Sequence, residues 1–97
     1  MADSVSVAPD VYGVMVENDR VRVLKIVTKP GQSSLLHSHP DMVLYAVTDC
    51  DWKLGSESGE SVDVHIKAGE SMFLEAVSHT ALDIGQAGSE AVAVELK

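Results

Sequence analysis

The residues of this chain best suited to chemistry are the pair His37 and His39, one residue apart, and a third histidine, His79. On an extended strand, side chains at i and i+2 point to the same side. One strand can therefore present two imidazoles to a single metal ion, and a distant strand can bring the third. These donors suit zinc, iron, copper or nickel far better than calcium or magnesium. Gly31 precedes the pair, and Gly69-Glu70 reads as a turn ahead of the His79 region.

Around His79, Ala81 and Asp83 share its face of a strand, with Thr80, Leu82 and Ile84 opposite. Small and polar neighbours suit a pocket wall. Glu75, just before His79, is a candidate catalytic carboxylate, able to bind a metal or orient an imidazole from behind. A plain loop carboxylate is the simpler reading. His65 alternates with Asp63 and Lys67 and reads as solvated outer face. Cys50 stands between Asp49 and Asp51, whose charges should suppress the thiolate, and it reads as a non-catalytic turn residue. Asp83 is open between pairing with Arg20 or Arg22 and holding a histidine tautomer.

Short strands must position these groups. Val11 to Val16 reads as one strand, and Arg20 to Thr28 as another. In the latter, Val21 and Val23 oppose Arg20 and Arg22, and the phase shift at Leu24-Lys25-Ile26 suggests a bulge. Ser34 to His39 is extended, and Met42 to Thr48 reads as a strand buried on both faces or nearly so. Trp52 to Leu54, Ser61 to Lys67, Ser71 to Leu74, Val77 to Ile84 and Ala91 to Leu96 complete the set. In the last, Val92, Val94 and Leu96 alternate with Ala91, Ala93 and Glu95. Regular short strands with Gly, Pro and Asp turns predict an all-β sandwich or barrel. Residues 1–10 are read as a loose arm or edge strand of one domain spanning 1–97.

Composition narrows the partners. The net charge of −8 argues against nucleic acid and against an anionic membrane surface. One cysteine excludes an internal disulfide. Neither a leader-like segment nor an apolar run of spanning length is seen, so a cytoplasmic location is expected. A chain this short gains from a second subunit, and a homodimer is expected. Trp52 and Phe73 are read as core or interface residues.

The spacing Gly31, His37, His39 resembles the first motif of the cupin superfamily, whose fold is a double-stranded β-helix, a small antiparallel jelly-roll barrel. Gly69, Leu74, Ala76, His79 and Asp83 resemble its second motif, with leucine, alanine and aspartate where the family has proline, glycine and asparagine. The two motifs span Gly31 to Asp83, just over half the chain. The family usually carries a metal-binding glutamate shortly after the second histidine; here those positions hold Val43 and Leu44. The resemblance therefore implies a three-histidine site, His37, His39 and His79, with one divalent metal. Fe(II) is favoured, because three-histidine cupins include thiol, gentisate-type and β-diketone-cleaving dioxygenases. Zinc, copper, nickel and manganese remain alternatives; on zinc, bound water with a pKa of roughly 7 would favour hydrolytic or lyase chemistry.

The favoured activity is thus oxygenation of a small molecule. The alternatives are a zinc or manganese isomerase or lyase, and a module that binds a metal or metabolite without turnover. Pocket walls are expected from Leu35, Val43, Leu44, Phe73, Ala81 and Asp83. Met42 and Tyr45 lie on opposite faces of their strand. If Val43 faces inward, Tyr45 enters the pocket as a candidate catalytic phenol; if Leu44 does, Met42 enters instead.

Overall fold

A computed structural model describes residues 2–97. One helical turn, α1 (Ser4–Val7), precedes nine strands: β1 (Tyr12–Glu17), β2 (Val21–Thr28), β3 (Ser33–His39), β4 (Met42–Ala46), β5 (Cys50–Gly55), β6 (Ser61–Ile66), β7 (Ser71–Leu74), β8 (Val77–Asp83) and β9 (Ser89–Leu96). They form two antiparallel sheets that face one another. One has the order β1-β2-β9-β4-β7 and the other β3-β8-β5-β6. This is the expected small jelly roll. Among the described residues, no helix is long and apolar enough to cross a membrane.

Each strand lends one face to the shared core, as a two-layer sandwich requires. In β4, Met42, Leu44 and Ala46 are buried, while Val43 and Tyr45 are exposed. The expectation of a strand buried on both faces fails because only one face is covered by the second sheet. Leu24, Ile26, Trp52 and Ile66 complete the centre of the core. Each such side chain contributes about 1.5–3 kcal/mol by leaving water.

Two strands invert their apparent polarity. On β9 the inner face is Ser89, Ala91, Ala93 and Glu95, whereas Val92 and Val94 lie on the outer face. On β2 the inner face is Arg22, Leu24, Ile26 and Thr28, in unbroken register with β9 from Val21↔Leu96 to Thr28↔Ser89. The suspected bulge in β2 is therefore absent. What looked like a phase shift is one arginine placed inward, opposite Glu95. The irregularity lies instead in β1, between Val14 and Val16.

Residues 2–10 are not the loose arm or edge strand expected of 1–10, whose first residue lies outside the described ones. Asp3 caps α1, forms an isolated bridge with Ser38 and pairs with Arg22. Val5 packs against the core. The turns that launch β3 and β7 carry Gly31 (φ +78°) and Gly69 (φ +87°). Both lie in the left-handed region, which a side chain would strain. The Gly31 amide donates to the Asp83 carbonyl at 2.9 Å, tying the turn before the histidine pair to the strand of the third histidine.

Candidate metal centre

β3 and β8 are neighbours, and their register sets His37 directly opposite His79. His39, two residues on, shares the inner face of His37. The three rings meet edge to face with centroids 4.8 to 5.3 Å apart. All three are buried, at 0%, 1% and 7% exposure. Their donor nitrogens lie within 4.8 Å of one another. Nitrogens sharing one ion at about 2.1 Å would be roughly 3.0–3.4 Å apart, a difference within reach of small ring rotations. The donor set thus fits a first-row transition metal or zinc.

Each tautomer follows from the partner of the other ring nitrogen. His37 Nδ1 donates to the Leu35 carbonyl at 2.7 Å, and His39 Nδ1 donates to Glu95 Oε2 at 2.7 Å. A carbonyl and a carboxylate can only accept here, so in the neutral rings Nε2 carries the lone pair. The phenol of Tyr12 donates to His37 Nε2 at 3.0 Å. Tyr12 and Glu95 come from the opposite sheet, so these two hydrogen bonds also join the layers.

Behind Glu95 a charged chain runs to the surface. Arg22 Nε donates to Glu95 Oε1 at 2.8 Å, and Arg22 Nη2 reaches Asp3 Oδ1 at 2.5 Å. Burial alone would raise the Glu95 pKa; hydrogen bonds from His39 and Arg22 outweigh it and hold the carboxyl below its ordinary value. The same arginine lowers that of Asp3. Burial lowers the pKa of His37, and it lowers that of His79 to about 3, helped by the two neighbouring histidines. His37 and His79 are accordingly neutral near pH 7, the form in which imidazole binds metals. Burial pushes the Tyr12 phenol upward.

A cavity of ≈ 40 Å³ opens between the sheets. That is room for about three or four waters, at roughly 10–15 Å³ each. His39 and His79 line it together with Met42, Leu44, Leu54 and Ala81. Asp83 also lines it, about 13 Å further along β8 from His79. Neither open reading of Asp83 holds. Its carboxylate accepts from Thr28 Oγ1 at 2.6 Å and from the Gly85 amide at 2.8 Å. Ser34 Oγ is buried at the cavity wall without a hydrogen-bond partner of good geometry, though it lies near enough to Tyr12 to offset part of that phenol's pKa rise.

The structure thus brings together His37, His39 and His79 and sets Met42, Leu44, Ala81 and Asp83 along the cavity. It does not bring the remaining expected residues. Tyr45 is 47% exposed on the outer face of β4, so Met42 is the one that enters. Val43 shares that outer face, Phe73 is its register partner on β7, and both are exposed. Leu35 is 77% exposed at the irregularity between Ser34 and His37. Glu75 is an exposed residue between β7 and β8 and reaches no histidine. Cys50 is no turn residue: it opens β5, fully buried, and burial more than its acidic neighbours pushes its thiol up to about 11. His65 is solvated as expected and pairs with Asp51.

Sequence reasoning missed Tyr12, Arg22, Glu95 and Ser34. Glu95 left one trace: it alternates with two alanines, and both prove fully buried. Read as the packed face, Ala91-Ala93-Glu95 would have marked an interior carboxylate.

No family model and no curated protein matches the sequence. Solved structures do. A cupin domain from Bordetella pertussis Tohama I is 27% identical with a TM-score of 0.81, over 90% of this chain and 92% of that one. A double-stranded β-helix protein from Klebsiella pneumoniae is 21% identical with a TM-score of 0.68, over 89% and 75%. KdgF from Halomonas is 15% identical with a TM-score of 0.60, over 88% and 76%. The fold is that of a cupin, and its three buried histidines form a site able to hold a metal ion.

Proposed function

We propose that the protein is a metal-dependent enzyme acting on a small molecule, with Fe(II) as the favoured ion and oxygenation as the favoured reaction. The observation that carries this reading is the convergence of three buried imidazoles with their Nδ1 protons on His37 and His39 already engaged. When bound, the ion would supply Lewis acidity and, if iron, a place for O₂ to react. The protein's own residues do the rest. His37, His39 and His79 hold the ion, and Glu95 fixes the ring of His39 and strengthens its donor nitrogen. The apolar walls around Met42 and Leu44 keep water away and strengthen electrostatic interactions inside.

A second reading, a binding module without turnover, is favoured by the size of the cavity. Room for a few waters admits a very small ligand, and a larger substrate must open the sheets or approach from the mouth. Two experiments separate the readings. Metal analysis of untagged protein should find stoichiometric iron in the wild type and none in His79→Ala. Nitric oxide, an O₂ surrogate, should then give a new spectroscopic signal with the iron-loaded protein. Stoichiometric zinc would move the assignment to hydrolysis, isomerisation or elimination. Absence of metal uptake would leave the binding module.

A second copy of this chain is the partner we infer, alongside a small-molecule ligand. The support is an apolar row across the outer face of the five-stranded sheet. Val16, Val23, Val94, Val43 and Phe73 are successive register partners. Val16 and Phe73, at its ends, are more than half exposed. Such rows on a small domain are commonly covered by an identical subunit.

A further inference from the structure

We propose that Tyr12 is a fourth protein ligand to the metal, taking the place of the carboxylate that Val43 and Leu44 cannot supply. The inference rests on the metal-site reading and goes beyond it in naming an oxygen donor from the opposite sheet.

Three observations carry it. His37 Nδ1 is committed to the Leu35 carbonyl, so Nε2 is the nitrogen left for a metal. Among the described residues, the one hydrogen bond of good geometry that the Tyr12 hydroxyl makes is to that same Nε2, at 3.0 Å. The phenol oxygen therefore stands beside the position that an ion on that nitrogen would take. Two donors bound to one ion at about 2.1 Å and at right angles are about 3.0 Å apart, so oxygen and nitrogen already have the separation of adjacent ligands. The ring is held for this role. It is 5% exposed and lies edge to face against both His37 and His39, with centroids 5.1 and 5.3 Å away. No other cysteine, histidine or carboxylate among the described residues joins the cluster, so the phenol has no anionic competitor.

Ligation exchanges one bond for another. The O–H bond of Tyr12 breaks, its proton leaves to solvent, and the oxygen pair forms the bond to the ion without change of oxidation state. In the metal-free protein the same phenol satisfies His37 Nε2, which would otherwise be a buried acceptor without a partner. An ion seated to one side of the O···N line would bind both atoms in place of the hydrogen bond that now joins them.

Ferric iron is the probe, because a phenolate bound to it gives a visible charge-transfer band. The iron-loaded wild type should show this band. Tyr12→Phe should lose it while still binding stoichiometric iron through the histidines. The chain has two tyrosines, so Tyr45→Phe leaves Tyr12 as the sole phenol and should keep the band. Iron bound without the band, or an unchanged band in Tyr12→Phe, overturns the proposal and leaves the three-histidine reading standing. If the wild type takes up no iron, the iron-site reading and this proposal both fall. If Tyr12→Phe fails to fold, Tyr45→Phe decides: a retained band supports Tyr12, a lost band refutes it.

Discussion

Replacing Glu95 by alanine tests the link between the metal centre and the fold. The carboxylate is 2% exposed and accepts from His39 at 2.7 Å and from Arg22 at 2.8 Å. Its removal strands the Nδ1 proton of His39, which is itself 1% exposed, and leaves Arg22 with Asp3 alone. Breaking a buried charge pair by deleting one partner costs about 3–5 kcal/mol. Arg22 keeps some solvent and its second carboxylate, which points to the lower end. For a domain of this length each kcal/mol lowers the melting temperature by roughly 4–8 °C, so a fall of at least about 12 °C is expected. Loss of an outer partner of a metal-binding histidine should also weaken metal binding by about 10–100-fold. Thermal unfolding of the metal-free protein measures the first effect, and a competition titration with a chromophoric chelator measures the second. Glu95→Gln, whose amide oxygen can still accept one bond, should fall between. An alanine variant within about 1 kcal/mol of wild type, with unchanged metal affinity, would refute this account of the buried chain.

Three further outcomes are expected. His79 has a folded pKa lowered to about 3 from 6.5, so the unfolded chain binds the extra proton between those values. Stability of the metal-free protein should therefore fall as pH drops from about 6.5 towards 3, with no effect of this group above pH 7; His79→Asn should flatten that slope in urea titrations, and an unchanged slope would place the titrating group elsewhere. Leu44, 2% exposed, should cost about 2–5 kcal/mol as Leu44→Ala by enlarging the cavity, read as a lower urea midpoint at constant slope. Phe73→Lys at the end of the outer row should shift the protein from dimer to monomer in light scattering while leaving metal stoichiometry intact, and a dimer that persists would move the interface to another face.

Much of the scaffold was legible in the amino-acid order. Alternating apolar residues and Gly, Pro and Asp turns determined the strands, because a two-layer β fold needs one buried and one open face per strand. The pair His37 and His39 was readable as one-sided because side chains of a strand repeat every two residues. Gly31 and Gly69 were readable as turns, and both adopt the left-handed backbone that glycine tolerates. Which face of a strand turned inward was not legible wherever a charge was buried. Arg22 and Glu95 look like surface residues in isolation; each is acceptable inside only because β2 and β9 set them side by side and β3 brings His39 to the same carboxylate. For the same reason Tyr12, distant in sequence from all three histidines, joined the site only through the packing of one sheet on the other. Local pattern determined the strands and the donor types. Tertiary pairing decided which polar groups were satisfied in the interior, and with that the surroundings of the three histidines.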